Sequence, residues 1–160
     1  VAAEKIAGLR FDVLGQNIYP DANFTLRLSY GVVKGWNDPL YGEVKPFTYV
    51  SGLWERATGA YPFNLGKKWV GGQSKIPGGT QMNLVTTNDI VGGNSGSPLI
   101  NKDERIVGLV FDGNIHSTGG AYGFHPALNR TVAVSSQLIV QALRRIYGAN
   151  ALAEELERKS

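Results

Sequence analysis

The sequence predicts a mainly β domain closed by a C-terminal helix. Three observations carry that expectation. Glycine makes up 21 of 160 residues and falls in pairs at Gly71-Gly72, Gly78-Gly79, Gly92-Gly93 and Gly119-Gly120, cutting the middle of the chain into short segments, as in a sandwich or barrel. The stretch from Phe24 to Tyr30 alternates strictly, with Phe24, Leu26, Leu28 and Tyr30 on one face and Thr25, Arg27 and Ser29 on the other, the period of a half-buried strand. Beyond Ser135 the period lengthens to that of a helix.

Taken in order, residues 1–20 read as an approach segment from something upstream. The start has neither an initiator Met nor the basic-then-apolar pattern of a signal peptide, so the chain is expected to be a fragment. The strand from Phe24 opens the domain proper, residues 21–148. Further strands are expected at Phe47 to Val50, Gln81 to Thr86, Pro98 to Asn101, Arg105 to Phe111 and Arg130 to Val134, with the polar turn Lys102-Asp103-Glu104 between the third and fourth of these. Ser135 or Ser136 is placed to cap a helix whose apolar positions are Leu138, Ile139, Ala142, Leu143, Ile146 and Tyr147. Arg144 and Arg145 suit the C-terminal end of its dipole, and Gly148 stops it. Residues 149–160 form a charged second helix or tail. No internal repeat is visible.

Composition narrows the function. At 160 residues and 17.3 kDa the chain fits one domain with a real core. Its 42% apolar and 18% charged residues exclude a disordered tail, and no apolar run approaches the roughly 20 residues of a membrane span. The net charge of +3 comes from scattered cations with no stripe for phosphates, which argues against nucleic acid. Cysteine is absent, so thiol catalysis and Cys-bound zinc are excluded; no metal or cofactor is expected, and no Gly-x4-Gly-Lys phosphate loop occurs. Trp36, Trp54 and Trp69 could stack on a ligand, although packing is the commoner use.

The informative stretch is Gly92-Gly93-Asn94-Ser95-Gly96-Ser97-Pro98, followed by an apolar strand, a polar turn and a second apolar strand. A serine set between glycines in a tight turn can present its hydroxyl to a carbonyl. The N–H groups of Gly93 and Ser95 would then point to the spot where an oxyanion forms. The plain alternative is a Gly-Asn-Ser turn joining two strands. An α/β-hydrolase elbow is excluded, since Ser97 stands where that motif needs Gly and a strand follows where it needs a helix. No His precedes Ser95; the two histidines, His116 and His125, both follow it and read as loop or surface residues.

The Ser95 string resembles the second barrel of chymotrypsin-like serine peptidases. Together with Tyr19-Pro20-Asp21-Ala22, Phe24 to Gly31, Thr87-Asn88-Asp89-Ile90, Phe111-Asp112-Gly113-Asn114 and Asn129 to Val134, it is similar to the C-terminal part of bacterial dipeptidyl-peptidases 7 and 11. That resemblance implies the second β-barrel of a double-barrel fold, with the catalytic His and Asp on a first barrel and a helical domain in the upstream half of the same protein. It implies a periplasmic or cell-surface location and peptide substrates with a free N-terminus. It makes Ser95 the nucleophile, the N–H groups of Gly93 and Ser95 the oxyanion donors, and Asp112 the ligand of the substrate's α-amino group. An amine two residues, or roughly 7 Å, from the scissile carbonyl suits a carboxylate there, although Asp112-Gly113 is equally a hairpin signal. Gly113 resembles the position where acidic-specific members carry Arg, which implies an apolar or aromatic second residue. Asp89, six residues before Ser95, stands where trypsin-like enzymes hold their basic-specificity carboxylate; it reads here as structural, capping a turn. The fragment by itself is expected to be inactive. Two rivals stand: a trypsin-like endopeptidase half using Asp89, and an inert binding module.

Overall fold

The computed structural model describes residues 2–15, 26–120 and 122–158. Five antiparallel strands form one sheet: β3 (Phe47–Tyr49), β4 (Gln81–Thr86), β5 (Pro98–Ile100), β6 (Ile106–Gly113) and β7 (Thr131–Ser135), in the order β3-β4-β7-β6-β5. These are five of the six strands expected from sequence, to within two residues at either end. A separate hairpin, β1 (Trp36–Asp38) with β2 (Gly42–Val44), precedes them. Its strands are too short for a period of two to show in sequence.

The sixth expected strand is corrected. Phe24 and Thr25, with Tyr19 to Ala22, lie outside the described residues, while Leu26 to Tyr30 adopt no strand. Leu26, Leu28 and Tyr30 are 92%, 70% and 83% exposed. Alternation reports an apolar face, but a strand also needs a partner ladder. Here isolated bonds, not a ladder, join Ser29, Val32 and Val33 to the Thr86–Asp89 stretch. Ser29 Oγ donates to the Asp89 carbonyl (2.9 Å), Thr87 N donates to the Val32 carbonyl (3.0 Å), and Val33 bridges Thr86. The sheet is open among the described residues, with β3 and β5 as its edges, and no closed barrel is formed there.

Among the described residues, five α-helices accompany the sheet. The first, α1 (Ala2–Leu14), lies within the stretch read as an approach segment. It is built of good helix formers, but its apolar residues form no single stripe, and Ile6, Leu9, Phe11 and Val13 are each more than half exposed. Short α2 (Ser51–Glu55) and α3 (Lys67–Val70) pack beside α4 (Ser136–Arg145). Ser135 is the N-cap of α4 and its hydroxyl accepts from Gln137 N (3.2 Å). Past Gly148 the chain enters α5 (Asn150–Glu157), tied back to α4 by an Arg144 to Glu157 ion pair.

Among the described residues, two apolar clusters hold the sheet with α2, α3 and α4. Val50, Ile76, Leu138 and Ile146 join α4 to the sheet, with Trp54 and Trp69 packed against them at 6.2 Å between ring centroids. Trp54 donates to the Trp69 carbonyl and Trp69 to the Tyr147 hydroxyl, so both indoles serve packing. Leu84, Val110 and Ala133 form the second cluster, with Phe47, Ile90 and Leu99 against it. Strands β4, β6 and β7 each give this cluster one buried residue, which anchors the strand ends that carry the site.

Candidate active site

The turn that presents Ser95 is made by glycine conformations. Gly93 and Gly96 sit at φ +104° and +86°, a region that side chains rarely enter. The bonds that hold the turn use the N–H groups of Asn94 (to Val91 O, 3.2 Å), Gly96 (to Val110 O, 2.7 Å) and Ser97 (to Asn94 O, 3.0 Å). Those of Gly93 and Ser95 take no part in that set. Ser95 itself is exposed.

Strand β6 supplies the opposite wall. Pro98 pairs with Leu109, and Val110 both donates its N–H to Ser97 O (2.9 Å) and accepts on its carbonyl from Gly96 N (2.7 Å), so the Ser95 turn is tied to β6 two residues before Asp112. On its other side β6 slips against β7: Val110 faces Ala133 and Asp112 faces Val132, which makes Phe111 a bulge. Without it, Asp112 would share the face of Val110, which is buried at 6% exposure. With it, Asp112 is exposed and its Oδ1 accepts from Gly113 N (2.8 Å).

The chain then makes a 3-10 turn, Ile115–Gly119. Asn114 Oδ1 accepts from Arg130 N (3.0 Å) and from Ser117 Oγ (2.9 Å), while Asn114 Nδ2 donates to the Leu128 carbonyl (2.8 Å). Arg130, 2% exposed, spends its guanidinium on carbonyls of two distant segments: Lys34 and Gly35 on one side, Pro126, Ala127 and Asn129 on the other. Burial holds its pKa below the usual arginine value. His116 anchors the same turn through Nε2, 2.9 Å from Asp38 Oδ2. The Asp38 carboxyl is held well below the usual carboxylate range, first by His116 and then by the Leu40 N–H and the Trp36 indole, against the opposing cost of burial.

Together these walls enclose a cavity of about 200 Å³ lined by Ile90, Val91, Gly92, Asn94, Ser95, Val110, Phe111, Asp112, Gly113 and Ser117. Three sequence-predicted residues, Ser95, Asp112 and Gly113, therefore meet in one place; Gly93 shapes the turn without lining it. Neither histidine lines this cavity. His116 keeps its place in a loop, within the 3-10 turn, but is partly buried and paired with Asp38, while His125 is exposed. Asp89 is absent from the lining too, and its carboxylate makes no hydrogen bond among the described residues, so it caps no turn there. Its carbonyl receives Ser29 Oγ instead. A roomier cavity of about 470 Å³, between α2 and the Pro62–Leu65 loop, shares no residue with the Ser95 cavity.

Sequence reasoning missed Asp38, Asn114, Ser117 and Arg130. Asn114 and Arg130 left a trace, each inside a string that carries the family resemblance, and Arg130 also as a cation at the mouth of an apolar strand.

The family model of peptidase S46 matches residues 2–158. The chain belongs to the peptidase S46 family. It is 34% identical over 163 residues to dipeptidyl-peptidase 7 of Capnocytophaga gingivalis, covering 94% of the S46 chain and 23% of that relative. It is 31% identical over 172 residues to the Asp/Glu-specific dipeptidyl-peptidase of Shewanella putrefaciens, covering 88% and 23%. A crystal structure of Porphyromonas endodontalis DPP11 with the dipeptide Arg-Glu superposes at a TM-score of 0.80 and 25% identity, over 94% of this chain and 23% of that one. The S46 chain thus spans under a quarter of the length of the relatives it matches.

Proposed function

We propose that the full-length protein is a serine dipeptidyl-peptidase, to which this chain contributes the nucleophile and the amine clamp. The observation that carries the reading is the shared cavity of Ser95, Asp112 and Gly113. Ser95 Oγ attacks the carbonyl after the second residue of a peptide, and the N–H groups of Gly93 and Ser95 stabilise the oxyanion. The Asp112 carboxylate holds the free α-ammonium, so the chain is cut two residues in. The dipeptidyl group passes to Ser95 as an ester as the amine leaves, and water releases the dipeptide. The proton of Ser95 goes to a histidine from outside these 160 residues, since no His lines the cavity. The sheet is read as the second barrel of a chymotrypsin-like pair, a reading its all-antiparallel order supports.

The second substrate residue is proposed to be apolar or aromatic. Ile90, Val91, Val110 and Gly113 give the cavity uncharged walls, and no cation lines it to receive the acidic residue that some relatives' names imply. The absence of Asp89 from the lining tells against tryptic specificity.

The test uses the full-length protein and peptides whose second residue is Leu, Phe, Asp, Glu or Lys, with released dipeptides identified by mass spectrometry. Dipeptides ending in Leu or Phe should dominate, and Ser95→Ala should remove activity and labelling by a serine-directed phosphonate. Preference for Asp or Glu would overturn the specificity. Equal cleavage of N-acetylated peptides would overturn the exopeptidase reading, and failure to label Ser95 would leave the inert-module rival standing.

A further inference from the structure

Gly113 cannot carry a side chain where it stands. A β-carbon built there falls 2.8 Å from Ser117 Cβ and 3.3 Å from Ser117 Oγ, closer than carbon atoms pack. A flexible neighbour would swing aside, but Ser117 is held. Its N–H donates to the Asn114 carbonyl (2.8 Å), and its hydroxyl donates to Asn114 Oδ1 (2.9 Å) while accepting from Arg130 N (3.2 Å). The preceding residue, His116, is pinned to Asp38, and Arg130 is locked by its own carbonyl partners. Ser117 also faces the Ser95 cavity.

We propose that Ser117 is a specificity-determining residue: its β-carbon, fixed by the 3-10 turn, is the wall that limits the size of the second substrate residue. Gly113 and Ser117 behave as a pair in which only one member can carry bulk. The proposal rests on reading the Ser95 cavity as the peptide site. It separates the two parts of the serine side chain, with the hydroxyl holding the turn and the β-carbon setting the volume.

That separation dictates the variants. Ser117→Gly removes both wall and hydroxyl, whereas Ser117→Ala removes the hydroxyl and keeps the wall. In the full-length protein, with free-amine dipeptidyl substrates ending in Ala, Leu and Phe, Ser117→Gly should raise the Phe-to-Ala ratio of kcat/KM about tenfold. Ser117→Ala should leave that ratio within about twofold, although both lose the same hydrogen bonds. Gly113→Ala should lower kcat/KM about tenfold with Ser117 present and less than about threefold in the Ser117→Gly background. An unchanged Phe-to-Ala ratio in Ser117→Gly, an equal shift in Ser117→Ala, or an equal penalty for Gly113→Ala in both backgrounds would overturn the proposal. Those outcomes presuppose an active parent. A parent that releases no dipeptides and leaves Ser95 unlabelled would instead overturn the peptidase reading beneath it.

Discussion

Asp112→Asn divides the two roles that its position allows. Oδ1 of Asp112 accepts from Gly113 N at 2.8 Å, and an amide oxygen in the same place can accept that bond, so the turn survives the substitution. What disappears is the negative charge. A hydrogen bond between charged groups contributes about 1.5 to 3 kcal/mol. Asp112 is exposed, so water screens the contact and a value of about 2 kcal/mol is appropriate. At about 1.4 kcal/mol per factor of ten, this is a loss of about 30-fold in kcat/KM. The assay compares a fluorogenic dipeptidyl substrate with its N-acetylated form on full-length parent and variant. The ratio of free to acetylated activity should fall about 30-fold, because the acetylated substrate has no ammonium to lose. Asp112→Ala should fall further, since it also strips the acceptor from Gly113 N. Activity of Asp112→Asn on the free-amine substrate within about twofold of the parent, or equal losses on both substrates, would refute the amine clamp and leave Asp112 as a turn residue.

The other expectations follow from the scaffold. Arg130→Lys should destabilise the full-length protein by about 3 kcal/mol in urea unfolding, because one ammonium cannot satisfy carbonyls on both sides of the guanidinium; parent-like stability would show that water replaces those bonds. Asp38 has a folded pKa below its unfolded one, so its contribution is present above about pH 4 and lost as the pH falls further. The stability gap between parent and Asp38→Asn, measured by denaturant titration, should therefore shrink from pH 6 to pH 3, and a constant gap would refute the linkage. Gly113→Arg alone should depress turnover of all second residues, because the new side chain must first displace Ser117; a clean switch to Asp or Glu substrates without that loss would mean that the 3-10 turn yields easily. The 160-residue chain by itself should hydrolyse no dipeptidyl substrate in a fluorogenic assay, and turnover abolished by Ser95→Ala would place the base within it.

The amino-acid sequence by itself determined what depends on neighbours along the chain. Five strands declared themselves by alternation or short apolar runs between glycines. Helix α4 showed its period, its Ser135 cap and its Gly148 stop, and Ser95 was legible because its turn is built from glycines two residues to either side or nearer. The same local logic misled at Leu26 to Tyr30, where an apolar face exists but no strand pairs with it among the described residues.

Only tertiary structure decided how these pieces make a site. The bulge at Phe111 that turns Asp112 out of the core arises from a slip between β6 and β7, about which β6 alone says nothing. The His116–Asp38 pair joins residues 78 apart, and Arg130 reaches Lys34 across 96. Asp89, six residues from Ser95 and suggestive by spacing, stays out of the cavity, whereas Ser117, 22 residues beyond Ser95, enters it. Periodicity encodes which face of an element is apolar, since that is settled within a turn or a pleat. Which elements meet, and at what register, is settled by packing and hydrogen bonding between distant segments, and no local pattern carries that information.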